Sequence, residues 1–99
     1  MSGSAEGTWG VKQRGEPWLQ LAAEGRILGN DGCNRLMGGW RVDGPGVRFE
    51  PLASTLMYCE GVDTWLSTAV TALVEDDELV VFDAEGREIG RLPRVAESD

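Results

Sequence analysis

The runs Gly29-Asn30-Asp31-Gly32-Cys33-Asn34-Arg35-Leu36-Met37-Gly38-Gly39-Trp40 and Pro51-Leu52-Ala53-Ser54-Thr55-Leu56-Met57-Tyr58-Cys59 decide how this chain is read. Between them they hold both cysteines and two of the three methionines. Leu36, Gly38, Trp40 and Val42 share one parity, the pattern of a strand with one apolar face. Asp43-Gly44-Pro45-Gly46 carries turn residues and returns the chain into Val47-Arg48-Phe49-Glu50, so the first run ends in a hairpin. Two consecutive glycines inside a strand weaken it, and at 38 and 39 they mark a bulge or a segment passing close overhead.

Working outward, Gly7-Thr8-Trp9-Gly10-Val11 reads as a first strand, and Arg14-Gly15-Glu16-Pro17 as a turn. Trp18-Leu19-Gln20-Leu21-Ala22 alternates, with Leu19 and Leu21 on one face, and Ala23-Glu24-Gly25 turns it into Arg26-Ile27-Leu28-Gly29. Near the end, Leu79-Val80-Val81-Phe82, Asp83-Ala84-Glu85-Gly86 and Arg87-Glu88-Ile89-Gly90 repeat that arrangement. Ala-Glu-Gly-Arg occurs at both 23–26 and 84–87. Four residues around a glycine turn are better explained by two independent uses of one turn geometry than by a duplicated half-domain.

From Val62 the period changes. Val62, Trp65, Leu66, Ala69, Val70 and Leu73 fall on one face of a helix, with Asp63 placed to cap it and Glu75-Asp76-Asp77-Glu78 ending it. The expected fold class is therefore α+β, mainly antiparallel β. It comprises about seven to eight short strands, with one helix over about 62–74 packed on them. Residues 1–6 read as a disordered lead-in, 7–93 as a single domain and 94–99 as a frayed tail.

Ninety-nine residues with 41% apolar composition can bury one modest core. A net charge of −8, with the eight arginines and Lys12 scattered along the chain, disfavours nucleic acid and membrane surfaces as partners. The start has neither a basic segment nor an apolar run, so no signal peptide or lipoprotein cysteine is expected and the cytoplasm is the default compartment. No histidine is present. That removes the usual general base, so Ser54 beside Thr55 is no triad fragment, and two cysteines alone are too few for a structural zinc site. No enzymatic activity, cofactor or metal is expected. The acidic run 75–78 lacks the alternate spacing of a calcium loop and reads as solvated.

Cys33 and Cys59 stand 26 positions apart. A disulfide closing that loop would contribute about 3 kcal/mol in the chain-entropy view. A reducing cytoplasm instead favours two packed thiols, and a redox sensor is the third reading. Trp9, Trp40 and Trp65 fall on core parities. Trp18, opposite in parity to Leu19 and Leu21, is either packed or a contact for a partner or ligand at an edge or barrel mouth.

The two runs resemble the META domain family, the HslJ-like heat-shock proteins. The resemblance rests on the turn Gly32-Cys33-Asn34, on Gly38 and Trp40, and on Thr55, Met57 and Cys59, in register over roughly residues 7–93. Leu56 and Leu36 depart from the family pattern, the first where a basic residue is common and the second where an aromatic is common. The resemblance implies that the strands form a small barrel-like or strongly curled sheet with the one helix packed on it, in a family with no established enzymatic activity, and points to a protein-interaction or stress-associated module. The alternative is a carrier of a small apolar ligand in the barrel interior. Many members are exported or lipid-anchored, and this chain differs in its start.

Overall fold

A computed structural model describes residues 5–13, 15–55, 57–62 and 64–95. Nine strands are present among them: β1 (Gly7–Gly10), β2 (Pro17–Leu21), β3 (Arg26–Asp31), β4 (Arg35–Asp43), β5 (Gly46–Phe49), β6 (Ala53–Ser54), β7 (Thr71–Glu75), β8 (Glu78–Phe82) and β9 (Glu88–Val95). Every pairing is antiparallel, in the order β3-β2-β1-β9-β8-β7-β5-β4-β6, and β3 also pairs with β4. That extra pairing joins the ends of the sheet. Eight strands close into an up-and-down barrel, and β6 lies outside it along β4.

Parity sorts the side chains as the sequence predicts except at the far end of β4, where Val42 shares the parity of Leu36 and Trp40 but runs past the core and is 72% exposed. Trp9, Leu19, Leu21, Ile27, Leu36, Leu79, Val81 and Leu92 point inward and are buried, with Val47 and Phe49 beside them. An eight-stranded barrel is just wide enough for such side chains to fill it. The hairpins at 22–26, 43–46 and 83–87 form where expected. At Gly38 and Gly39 another segment does pass close: a Cβ there would meet Leu52 at 2.9 Å and the Glu50 carboxylate at 2.8 Å.

The expected helix over 62–74 does not form, and the fold is all-β rather than α+β. Among the described residues there is no α-helix, only a single 3-10 turn at Trp65–Thr68. The apolar spacing held two patterns at once. Trp65, Leu66 and Ala69 follow the short turn, after which Ala72 and Val74 share one parity of strand β7, with Val70 just before it. Ser67 and Thr68 donate their hydroxyls to the carbonyls of Thr64 and Trp65, at 2.9 and 2.8 Å. Such side-chain bonds compete with helix continuation, and Val70, Thr71 and Val74 are β-branched. The barrel supplies the deciding term, because β7 pairs β5 on one side and β8 on the other and so removes two open edges. Asp63, the expected cap, lies outside the described residues. Glu75–Glu78 is not a helix end but the β7–β8 turn, with Asp76 in a left-handed conformation at φ 55°.

The 3-10 turn closes one end of the barrel. Leu66 is fully buried, and the Trp65 ring lies on Gly90, where a Cβ would stand 2.5 Å from it. Phe82, at the end of β8, is half-buried and lies outside the core cluster. Ala5 is buried and its carbonyl accepts the Trp9 indole N–H at 2.8 Å. Residues 1–4 of the expected lead-in and 96–99 of the expected tail lie outside the described residues. Arg94 and Val95, also assigned to the tail, belong to β9, with Val95 opposite Thr8.

On the outer face, Arg91 donates to Glu88 at 2.8 Å and to Glu78 at 3.1 Å, with Glu75 at 3.9 Å. The guanidinium bond holds the Glu88 carboxyl below its usual range, and the two glutamates raise the Arg91 pKa.

Candidate functional site

The two runs 29–40 and 51–59 meet at the turn between β3 and β4. Cys33 and Cys59 are joined by a disulfide, with their Cα atoms 5.8 Å apart. This replaces the packed free thiols that the sequence favoured. Composition could not reveal the bond, because it depends on β6 carrying the chain back along β4.

Asn34 is the second link and is buried. Its Oδ1 accepts the Met57 N–H at 2.6 Å and the Thr55 hydroxyl at 2.9 Å, and its Nδ2 donates to the Met57 carbonyl at 3.0 Å. One side-chain amide thus satisfies both polar groups of one peptide residue, as a neighbouring strand would. Thr55 adds a bond in each direction: its hydroxyl accepts the Arg35 N–H at 3.1 Å, and its own N–H reaches the Arg35 carbonyl at 3.2 Å. β6 continues the line of β5 along β4, one residue out of register after Pro51, with Leu36 opposite Ser54 and Met37 opposite Ala53.

The turn itself is held by Asp31, a residue that the sequence reading left outside the motif. It is 1% exposed, and its Oδ1 accepts the N–H groups of Cys33 at 2.9 Å and Asn34 at 2.6 Å. Asn30 does the same for Gly32 at 2.7 Å. Asn-Asp-Gly is itself a turn signature, since both short side chains can bond backbone two or three residues on. Gly32 is required on steric grounds, because a Cβ there would stand 2.9 Å from Val62 and 3.1 Å from the Gly15 carbonyl.

The motif residues are therefore brought together, apart from two that serve the barrel. Gly32, Cys33, Asn34, Thr55, Met57 and Cys59 form the cross-linked seam. Gly38 and Trp40 lie further along β4, where Gly38 underlies Leu52 and Trp40 packs on the core with its indole N–H on the Ala22 carbonyl at 2.9 Å. Leu36 is fully buried, and Leu56 lies outside the described residues. Trp18 is half-buried on β2, its ring 4.7 Å from the Lys12 ammonium, in a shallow hollow with Asn30 and Cys33.

The seam leaves two large apolar side chains in solvent: Met57 is 61% exposed and Tyr58 is 88% exposed. The polar groups of the seam bond backbone, and both sulfurs are consumed in the disulfide. The arrangement can hold a loop rigidly and present what that loop carries.

An eight-stranded antiparallel barrel whose β3–β4 turn is tied by an asparagine and a disulfide to the segment after an outer strand defines a class of small, cross-linked barrel domains. The chain belongs to the META domain family, whose profile matches residues 3–96. Comparison with curated proteins and with solved structures returns no match.

Proposed function

We propose that this META domain is a non-catalytic protein-interaction module, with a role in stress responses that rests on family likeness. The exposed Met57–Tyr58 pair carries the reading. A disulfide at Cys59 and the Asn34 clamp at Met57 fix the backbone on which both side chains stand, so little ordering entropy remains to be lost when a partner covers them. The lack of histidine in the sequence and the bonded state of both cysteines support a role without catalysis. The disulfide also favours an oxidising compartment over the cytoplasm expected from the start of the chain.

The carrier alternative finds little support. The interior is filled by Trp9, Leu19, Ile27, Leu36, Leu66 and Leu79. The cavity beside Trp40 and Val47 measures about 130 Å³, below the size of ordinary ligand pockets. The test is a photo-crosslinking residue at position 58 in the host cell. A discrete cross-linked product that disappears when Asn34→Ala frees the loop supports the module. Its absence, together with a small mass retained in native mass spectrometry, favours the carrier.

A further inference from the structure

We infer that the slit between β5 and the 3-10 turn is a binding site for an acidic, extended peptide segment, gripped by Arg41 and Arg48. β5 and β7 pair only at Val47 opposite Ala72 and Arg48 opposite Thr71, with a last bond from the Phe49 N–H to the Val70 carbonyl at 2.8 Å. Beyond that bond one chain runs on through Pro51 toward β6, and the other comes from the 3-10 turn. They part and leave an open cavity of about 430 Å³ in the outer wall, floored by Phe49, Leu52 and Val70. That volume is within the range of binding clefts.

Arg41 and Arg48 line the same cavity and lie directly opposite each other across β4 and β5. Like charges in that relation destabilise a sheet. Seventeen acidic residues are available in this chain, yet among the described residues neither arginine makes an ion pair. Arg91 shows the contrast, with carboxylates from β7, β8 and β9 around one guanidinium. Glu50 also lines the cavity, but its carboxylate lies over Gly39 and away from ion-pair reach of either arginine. Two arginines on facing strand positions that line one cavity suit carboxylates, which accept paired N–H bonds from each planar guanidinium. An open cleft between the end of β5 and the 3-10 turn, with Phe49, Leu52 and Val70 in its lining beside the two arginines, suits an extended chain with alternating acidic and apolar residues. The general negative charge of the domain is screened beyond about 8 Å at physiological salt, so the local pair governs the contact.

This site is separate from Met57 and Tyr58, and neither proposal needs the other. The probe is a fluorescein-labelled, end-capped hexapeptide alternating leucine and glutamate, followed by anisotropy, with a glutamine-for-glutamate peptide as control. The acidic peptide is expected to bind and the control not to bind. Arg41→Gln or Arg48→Gln should each weaken binding about tenfold or more. Arg48→Glu is the decisive variant. It places opposite charges across the strands, so it should melt no lower than the parent while losing the peptide. No binding to the parent, equal binding to parent and Arg48→Glu, or displacement by inorganic phosphate with no preference for the acidic peptide would each overturn the assignment. Cross-linking at position 58 should be untouched by these variants.

Discussion

Ala-Glu-Gly-Arg forms two turns in this domain, and they are the same turn put to different use. At 22–26 the Ala22 N–H donates to the Arg26 carbonyl and the Gly25 N–H to the Ala22 carbonyl, both at 2.9 Å. At 83–87 the Asp83 N–H donates to the Arg87 carbonyl and the Gly86 N–H to the Asp83 carbonyl, both at 3.0 Å. Gly25 and Gly86 have φ of 91° and 81°, a region that a side chain disfavours. The surroundings then diverge. Trp40 fastens the first turn, its backbone N–H on the Gly25 carbonyl at 3.0 Å and its indole N–H on the Ala22 carbonyl at 2.9 Å. The second turn stands in solvent and is fastened from within: the Asp83 carboxylate accepts the N–H groups of Glu85 at 2.9 Å and Arg87 at 3.0 Å. Four residues therefore specify a turn, and one neighbour specifies whether tertiary contacts or local ones secure it.

The largest break in this comparison is Trp40→Ala, which removes a half-buried ring packed on the core and the indole bond at the first turn. It should cost about 3–5 kcal/mol in chemical denaturation. Hydrogen exchange at Gly25 should quicken while that at Gly86 keeps its relation to global stability. Gly25→Ala comes next, at about 1–2 kcal/mol, from the strain of a side chain in the left-handed conformation, because the new Cβ would meet the Trp40 carbonyl only at an ordinary contact distance, 3.4 Å. Gly86→Ala meets nothing within 4 Å and should cost about 1 kcal/mol, the conformational share alone. A loss at Gly25 several times that at Gly86 would mean that the Trp40 carbonyl leaves the first turn less room than its contact distance implies.

Asp83→Ala should have the smallest effect, and it should depend on pH. The Arg87 and Glu85 amides, with the Arg87 charge, hold the Asp83 carboxyl below its usual value. A lowered carboxylate contributes stability above the ordinary aspartate range and loses it as the pH falls through its folded pKa. The difference in Tm between parent and variant should accordingly be present at neutral pH and shrink in acid. Ala22 offers no carboxylate, so the first turn should show no such dependence.

Much of the barrel was legible in the strand parities. Leu19 and Leu21, Val47 and Phe49, and Leu79 and Val81 each fall inward as their alternation requires. Gly38 and Gly39 signalled a close neighbour that proved to be Leu52 and Glu50. The segment 62–74 was misread because its apolar residues satisfy a helical and a strand period together, and only the gap between β5 and β8 selects the second. Of the seam, the residue types were visible and the bonds were not. Asn34 looked like a local turn residue, yet its side chain acts across more than twenty positions of sequence. Asp31, the true local turn residue, carried a recognisable Asx signature. Arg41 and Arg48 were two scattered charges among others until the register placed them opposite each other.

The sequence by itself determined the hairpins, the inward faces and the family, because alternation, turn residues and the paired glycine-cysteine-asparagine and threonine-x-methionine-x-cysteine runs are local in sequence. The tertiary structure alone decided the closure of the barrel, the strand at 71–75, the disulfide and the arginine pair. Each of these depends on which distant backbone lies alongside, and register between strands far apart in sequence is settled only when the whole core is packed.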